Sequence, residues 1–331
     1  MIHPGPAEQQ SSALPSSGRL VLVTAQSLAN DSLLPRLLSP YGLRTIVHRP
    51  TDRDLSRIPG AEVVALVVGS EAIDDDFLNG FPGVELIVRA GSGVDNIRLS
   101  PRTAMRITIK RLPGVNADAV ADHAFGMMLS VGRRIPECDA ALRQGVWSPL
   151  HGTDLWSKTL GLVGFGTIGK AMVNRARGFS MRVLAYARHP EATCYPDVNF
   201  MPLTDILEAA DYVSLHLPLT PDTRHILGHR ELGLMRPSAY LINTARGELV
   251  DESALIVALS EGKLAGAALD VFHREPLADA RLLTMRNIVL TAHQAGYGDT
   301  TAEHLPNRTA RALVEHWRLA PSASLTSSRS D

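Results

Sequence analysis

The stretch Thr159–Gly169 reads TLGLVGFGTIG. Leu160, Leu162 and Val163 make an apolar run of strand length. Gly164, Gly166 and Gly169 then fall at G-x-G-x-x-G spacing, and a helical pattern opens at Ile168. Glycine is needed for a different reason at each position: the first for a tight turn, the second so that the backbone can approach a pyrophosphate, the third for close packing of helix on strand. The N-terminus of the helix that follows turns unpaired N–H groups and partial positive charge toward an anion. The spacing alone is weak, but a strand precedes it, a helix follows, and Arg182–Tyr186 supplies a second strand to close a βαβ unit. This context points to a dinucleotide-binding unit.

Upstream, order is expected to begin at Arg19. Leu20–Thr24, Leu43–Val47, Val63–Val68, Val84–Arg89 and Arg106–Ile109 read as strands separated by helix-length segments, the signature of a parallel α/β sheet. This first unit has no phosphate-loop glycine pattern. Its Gly91-Ser92-Gly93 turn follows a strand's carboxyl end, where such sheets place ligands; it also reads as a tight connection. Asn116 reads as an N-cap for a long apolar helix running to Val131. His123 within that helix reads more readily as packing or surface than as a reacting group. Trp147, after the next helix, reads as a packing anchor.

Downstream, Asp211–His216, Ala239–Asn243, Ala265–Val271 and Ile288–Thr291 read as further strands, and Leu203–Ala209, Glu252–Ser260 and Thr300–Trp317 as helices. Arg246, Glu275 and His293 lie just past three of these strand ends. Singly, each has an ordinary structural reading. Together on the carboxyl edge of one parallel sheet they suit hydride transfer on a 2-oxo acid: an arginine to grip a carboxylate, an imidazole to move a proton, and an acid to fix the imidazole's tautomer. Where a ribose-binding acid is expected after Arg182–Tyr186, the chain has Ala187, then Arg188 and His189. An arginine there fits the 2′-phosphate of NADP, though it could also be a solvated strand-end residue.

The chain has 331 residues, enough for two domains, and a formal net charge of −1, which makes no electrostatic case for nucleic acid or an anionic membrane. Cys138 and Cys194 are too few for a disulfide framework, and no Cys/His cluster has zinc-ligand spacing. Residues 1–18 lack the charged and apolar regions of a secretory signal and read as a disordered leader; 321–331 read as a polar tail. A cytoplasmic protein without a membrane span or a metal is the expectation.

With these residues in view, the chain resembles the D-isomer-specific 2-hydroxyacid dehydrogenases, and its cofactor motif is similar to that of the NADP-using glyoxylate/hydroxypyruvate reductases. The resemblance runs from about Leu86 to Gly296 through AGSGVDNI (Ala90–Ile97), PGVNADAVADHAFGMML (Pro113–Leu129), GLVGFGTIG (Gly161–Gly169), DYVSLHLPLTPDTRHIL (Asp211–Leu227), LINTARGELVDESAL (Leu241–Leu255) and GAALDVFHREPL (Gly266–Leu277). It implies two Rossmann-like, doubly wound parallel-sheet domains with the active site in the cleft between them: a catalytic domain from 19–116 plus 298–320 and a cofactor domain from 117–297. It implies that Arg246 binds the substrate carboxylate, that Glu275 orients His293, and that His293 is the general acid/base, with Ser92 and Gly93 holding the substrate. Cofactor contacts are implied at Gly164, Gly166, Thr167, Ile168, Gly169, Arg188, Leu217, Pro218, Thr223, Thr244, Ala245, Asp270, His293 and Gly296, with NADP preferred over NAD. A homodimer is implied, and the apolar helix Ala117–Val131 is the expected contact surface.

The chain departs from the family at Ala292, where a proline usually precedes the histidine, and at Gln294, whose amide could bond a ligand or face solvent. Formate or phosphonate oxidation and a dinucleotide-sensing corepressor-like scaffold are the alternative readings. A methyltransferase would use a glycine loop but leaves the Arg, Glu and His set unexplained.

Overall fold

The computed structural model describes residues 19–48, 55–188, 190 and 194–319. The expected leader, the polar tail and His189 lie outside the described residues. Chain order begins with β1 (Arg19–Val23), α1 (Leu33–Leu38), β2 (Leu43–Val47), β3 (Val63–Val68), β4 (Ile73–Asp74), α2 (Asp75–Asn79), β5 (Leu86–Arg89), β6 (Ile97–Arg98), α3 (Pro101–Ala104) and β7 (Thr108–Arg111). Five strands form a parallel sheet in the order β2-β1-β3-β5-β7, while β4 and β6 pair apart from it. Leu20 and Leu22 of β1 pack on one face with Val63, Leu66 and Ile87. Val21 and Val23 pack on the other with Ala65, Val67 and Val88. Burial on both faces is why the inner strands β1 and β3 read as unbroken apolar runs rather than alternating ones.

The expected strands at 84–89 and 106–109 begin later than the apolar pattern suggests. Val84 is buried but belongs to a turn, its N–H bonded to Phe81, and Arg106 is bonded back to Thr103.

The chain continues through α4 (Ala117–Gly132), α5 (Ile135–Arg143), β8 (Thr159–Val163), α6 (Thr167–Gly178), β9 (Arg182–Tyr186), β10 (Val198–Phe200), α7 (Leu203–Ala209), β11 (Tyr212–Leu215), α8 (His229–Leu234), β12 (Tyr240–Asn243), α9 (Glu252–Ser260), β13 (Gly266–Leu269), α10 (Ala280–Thr284), β14 (Ile288–Leu290) and α11 (Asp299–Trp317). Its seven strands form a second all-parallel sheet, β10-β9-β8-β11-β12-β13-β14. The strand order reverses between β8 and β11, and at such a switch point the loops diverge and leave a crevice at the carboxyl ends. Gly164 leaves β8 at φ +109°, and a Cβ there would lie 2.6 Å from the backbone carbonyl of His216, the residue after β11. A Cβ on Gly169 would lie 2.5 Å from the Gly164 oxygen, so α6 sits directly against the turn.

Helix α11 returns to the first sheet. Leu305 and Leu313 join Val21, Leu34 and Val88 in one core cluster, and Lys110 Nζ donates to the Ala312 carbonyl at 2.9 Å.

Two expectations about the surface are overturned. Helix α4 does not offer its apolar face to a second copy: Ala121, Ala124, Phe125 and Met128 are buried within the chain beside Met172, Leu162 and Tyr240, and its outward Asp118 and Asp122 are paired with Arg175. Trp147 is not a packing anchor but 84% exposed, because the chain turns away from α5 at Gly145 (φ +78°) with no core behind it. It shares this exposure with Ile135, Leu142, Val146 and Trp156.

Candidate functional site

The carboxyl edges of the two sheets face a common cleft of about 1470 Å³. Parallel strands all end on one edge, so loops far apart in sequence converge there. Ser92, Gly93, Gly166, Thr167, Ile168, Leu217, Pro218, Thr244, Ala245, Arg246, Asp270, Glu275, His293 and Gly296 line the cleft. Gly164 and Gly169 lie beneath it and shape the turn. Arg188 is exposed after Ala187 at the end of β9, outside the cleft lining. Thr223 also lies outside the lining. Its hydroxyl donates to the Pro218 carbonyl at 2.7 Å and accepts from the Thr220 N–H at 2.8 Å, so it holds the 218–223 turn in shape. Gln294 is exposed and does not line the cleft.

Arg246 follows β12, and its carbonyl accepts from the buried Asn243 amide at 2.8 Å. Its guanidinium lies against the first unit: Nε donates to Asp95 Oδ2 at 2.9 Å and Nη2 to Asp95 Oδ1 at 3.1 Å, while Nη1 donates to the Ala245 carbonyl at 2.7 Å. A guanidinium has five N–H donors, so one remains on Nη1 and one on Nη2, the edge that suits a carboxylate held by two parallel bonds. A Cβ on Gly93 would sit 2.0 Å from Nη2, so only glycine lets the arginine lie on that turn. Burial works to raise the Asp95 carboxyl, but the bonds from Arg246 outweigh it and hold it below its usual value.

His293 Nδ1 lies 2.7 Å from Glu275 Oε2, and Glu275 Oε1 accepts the Phe272 N–H at 3.1 Å. A carboxylate acceptor puts the proton on Nδ1 and leaves Nε2 as the ring nitrogen free for other work. His293 has φ +49°, a left-handed conformation that costs on the order of 1–2 kcal/mol in a non-glycine residue. Asp270 holds it there. Its carbonyl accepts the His293 N–H at 2.8 Å, and its fully buried carboxylate accepts from the Gln294 and Ala295 amides at 2.9 and 2.8 Å and from the Thr291 hydroxyl at 2.5 Å. Burial alone would raise this carboxyl, but the nearby His123 imidazole and the hydrogen bonds from Thr291, Gln294 and Ala295 keep it below the ordinary value. His123 Nε2 lies 3.1 Å from Thr291 Oγ1 and 3.6 Å from Asp270 Oδ1, so the helix histidine packs under the loop that carries His293.

Arg89, Asp95, Asn116 and His216 are among the cleft-lining residues that sequence reasoning passed over as site residues. A charge closing the apolar run LIVR was the available signal for Arg89. Asn116 stands at the N-cap of α4 without a side-chain capping bond; its amide instead approaches Gly296, where a Cβ would lie 2.8 Å from Nδ2. His216 Nε2 is 2.9 Å from Ser214 Oγ, and its buried Nδ1 has no partner among the described residues. Burial lowers its pKa to about 4 and keeps the ring neutral.

A dinucleotide fits these features. The crevice opens at the switch point, a Cβ on Gly166 would meet nothing within 4 Å, and His216, whose buried Nδ1 has no partner among the described residues, lines the same crevice. Among the described residues no His, Cys, Asp and Glu group could hold a metal ion, and no helix is long and apolar enough to cross a membrane.

Comparison with known proteins agrees with this architecture. The family model described as D-isomer specific 2-hydroxyacid dehydrogenase, NAD binding domain, matches residues 125–295. Glyoxylate reductase of Thermococcus litoralis is 41% identical over 265 residues, 76% of this chain and 80% of that protein. The NADPH-dependent glyoxylate/hydroxypyruvate reductase of Sinorhizobium meliloti, solved with NADP and malonate, is 30% identical with a TM-score of 0.78, covering 91% of this chain and 94% of that one. D-lactate dehydrogenase of Aquifex aeolicus, solved with NAD and lactic acid, is 25% identical with a TM-score of 0.78, covering 90% and 95%.

Proposed function

Because this chain belongs to the D-isomer-specific 2-hydroxyacid dehydrogenases, we propose that it reduces small 2-oxo acids, glyoxylate and hydroxypyruvate among them, to D-2-hydroxy acids with NADPH in preference to NADH. It is an NAD(P)-dependent oxidoreductase acting on 2-oxo acids. The observation that carries the reading is the contact of His293 with Glu275 at 2.7 Å on the cleft edge that also presents Arg246.

The free Nη1–Nη2 edge of Arg246 takes the substrate carboxylate, joined by the backbone of Ser92 and Gly93. The nicotinamide, when bound, supplies the hydride. His293 gives a proton from Nε2 to the carbonyl oxygen as negative charge develops there, and Glu275 keeps Nδ1 protonated throughout. Asp270 positions the His293 loop beside the nicotinamide end. Gly164, Gly166, Thr167, Ile168 and Gly169 hold the pyrophosphate, with Leu217, Pro218, Thr244, Ala245 and Gly296 along the remaining wall. Thr223 contributes by shaping the turn at Pro218.

Ala187 and Arg188 support the preference for NADPH. Alanine removes the carboxylate that would bond a ribose 2′-hydroxyl, and the exposed guanidinium stands ready for a 2′-phosphate. The division into 19–116 plus 298–320 for substrate and 117–297 for cofactor belongs to the same reading. So do a cytoplasmic location and a homodimer, now assigned to the exposed Leu142, Trp147 and Trp156 rather than to α4. NADPH oxidation with a panel of 2-oxo acids tests the proposal. Turnover of several is expected, and none with either NADPH or NADH would overturn it.

A further inference from the structure

Arg89 ends β5 inside the cleft and is only 8% exposed. Its buried Nε has no hydrogen-bond partner, and among the described residues its guanidinium makes no hydrogen bond. The neighbouring acids Asp95 and Glu71 act on it by charge but make no hydrogen bond or ion pair with it. Asp95 gives both oxygens to Arg246. Glu71 Oε1 accepts the Gly69 N–H at 2.9 Å and the Thr24 hydroxyl. Burial, and then the charge of Arg246, make protonation of Arg89 harder than usual. A buried cation without a hydrogen-bonded partner is costly, and replacing such a group by an apolar one is often neutral or stabilising.

The two arginines flank one turn. A Cβ on Gly91 would lie 3.0 Å from Arg89 Nη1, and one on Gly93 would lie 2.0 Å from Arg246 Nη2. Glycines two apart in sequence are separated by at most about 7 Å. The paired guanidinium positions therefore suit a short chain with an anionic group at each end.

We propose that Arg89 is a second anion-binding group of this cleft, and that the preferred substrate is a short 2-oxo acid carrying an oxyanion, carboxylate or phosphate, at its far end. This rests on the reductase reading above and narrows it. The substrate's own carboxylate takes the free edge of Arg246, and the distal oxyanion takes the unused donors of Arg89.

The test compares kcat/KM for matched pairs: 2-oxobutyrate against 2-oxosuccinate, 2-oxopentanoate against 2-oxoglutarate, and hydroxypyruvate against its 3-phosphate. The member with the distal oxyanion should be favoured in at least one pair by about tenfold or more, the scale of one charge-assisted hydrogen bond. The dicarboxylate and phosphate arms identify which oxyanion fits. Arg89→Met should collapse that preference mainly through KM, while Arg89→Lys should retain part of it. Arg89→Met should also keep or raise Tm, whereas a merely structural arginine would lower Tm and affect both members of a pair alike. Substrates without a distal oxyanion used as well as or better than every partner that carries one by the wild type would overturn the proposal, as would equal losses within pairs in Arg89→Met. Absence of turnover with every 2-oxo acid is a separate outcome that removes the reductase reading itself, and this proposal with it.

Discussion

Arg246 and Asp95 form a two-bond bridge, Nε to Oδ2 at 2.9 Å and Nη2 to Oδ1 at 3.1 Å, between residues 151 positions apart in sequence. It ties the loop after β12 of the seven-stranded sheet to the loop after β5 of the five-stranded one. Asp95 thereby fixes the plane of the guanidinium and leaves a single edge free. Asp95→Asn weakens a charge-assisted pair of the kind that contributes about 1.5–3 kcal/mol. The expected result is a 10- to 100-fold fall in kcat/KM, carried mostly by KM. Unchanged kinetics would remove Asp95 from any positioning role.

Proton transfer is probed at His293 and Glu275. His293→Ala should lower kcat by about 10²–10⁴-fold while dinucleotide binding persists. Glu275→Gln keeps the shape but can offer its amide N–H toward Nδ1, which disturbs the tautomer, so kcat should fall with cofactor affinity intact. Wild-type turnover in His293→Ala would assign the proton to another group.

The dinucleotide preference is expected to reside in Ala187 and Arg188. An exposed arginine–phosphate contact contributes on the order of 1–3 kcal/mol, or roughly a 5- to 150-fold preference for NADPH. Ala187→Asp with Arg188→Ile should reverse it in kcat/KM. Equal or better use of NADH by the wild type would sink the idea.

Assembly is expected to depend on the exposed segment that carries Trp147, 84% exposed, and Trp156, 64% exposed. Single aromatic anchors often cost 2 kcal/mol or more, roughly, when truncated at an interface. Light scattering at micromolar concentration should give twice the chain mass for the wild type and a shift toward the monomer for Trp147→Ala. A monomeric wild type would contradict the dimer.

Acid sensitivity should arise in part at His216. Its pKa is about 4 in the fold against 6.5 for a free imidazole. Between those values the unfolded chain binds a proton that the folded chain does not, so this contribution is present above pH 6.5 and is lost as pH falls toward 4. Tm should therefore drop less steeply over that interval in His216→Asn than in the wild type. Identical slopes would show that His216 is not a source of the sensitivity.

Much of the architecture was legible in the order of residues because the features involved are local. Gly164, Gly166 and Gly169 meet requirements of one turn and the helix it feeds. The strands declare themselves because burial on both faces demands unbroken apolar runs. Arg246, Glu275 and His293 could be grouped because parallel strands send all their carboxyl ends to one edge, whatever their pairing. Only the tertiary structure decided what meets across that edge. The bond of Asp95 to Arg246 and the clasp of Asp270 on the His293 loop depend on which loops converge in space. Trp147 read as core by its chemistry and stands in the open because no layer of the fold lies behind it. Arg89 was only the last residue of an expected strand; the walls that close around its guanidinium come from loops distant in sequence, and burial is a property of those walls rather than of the residue.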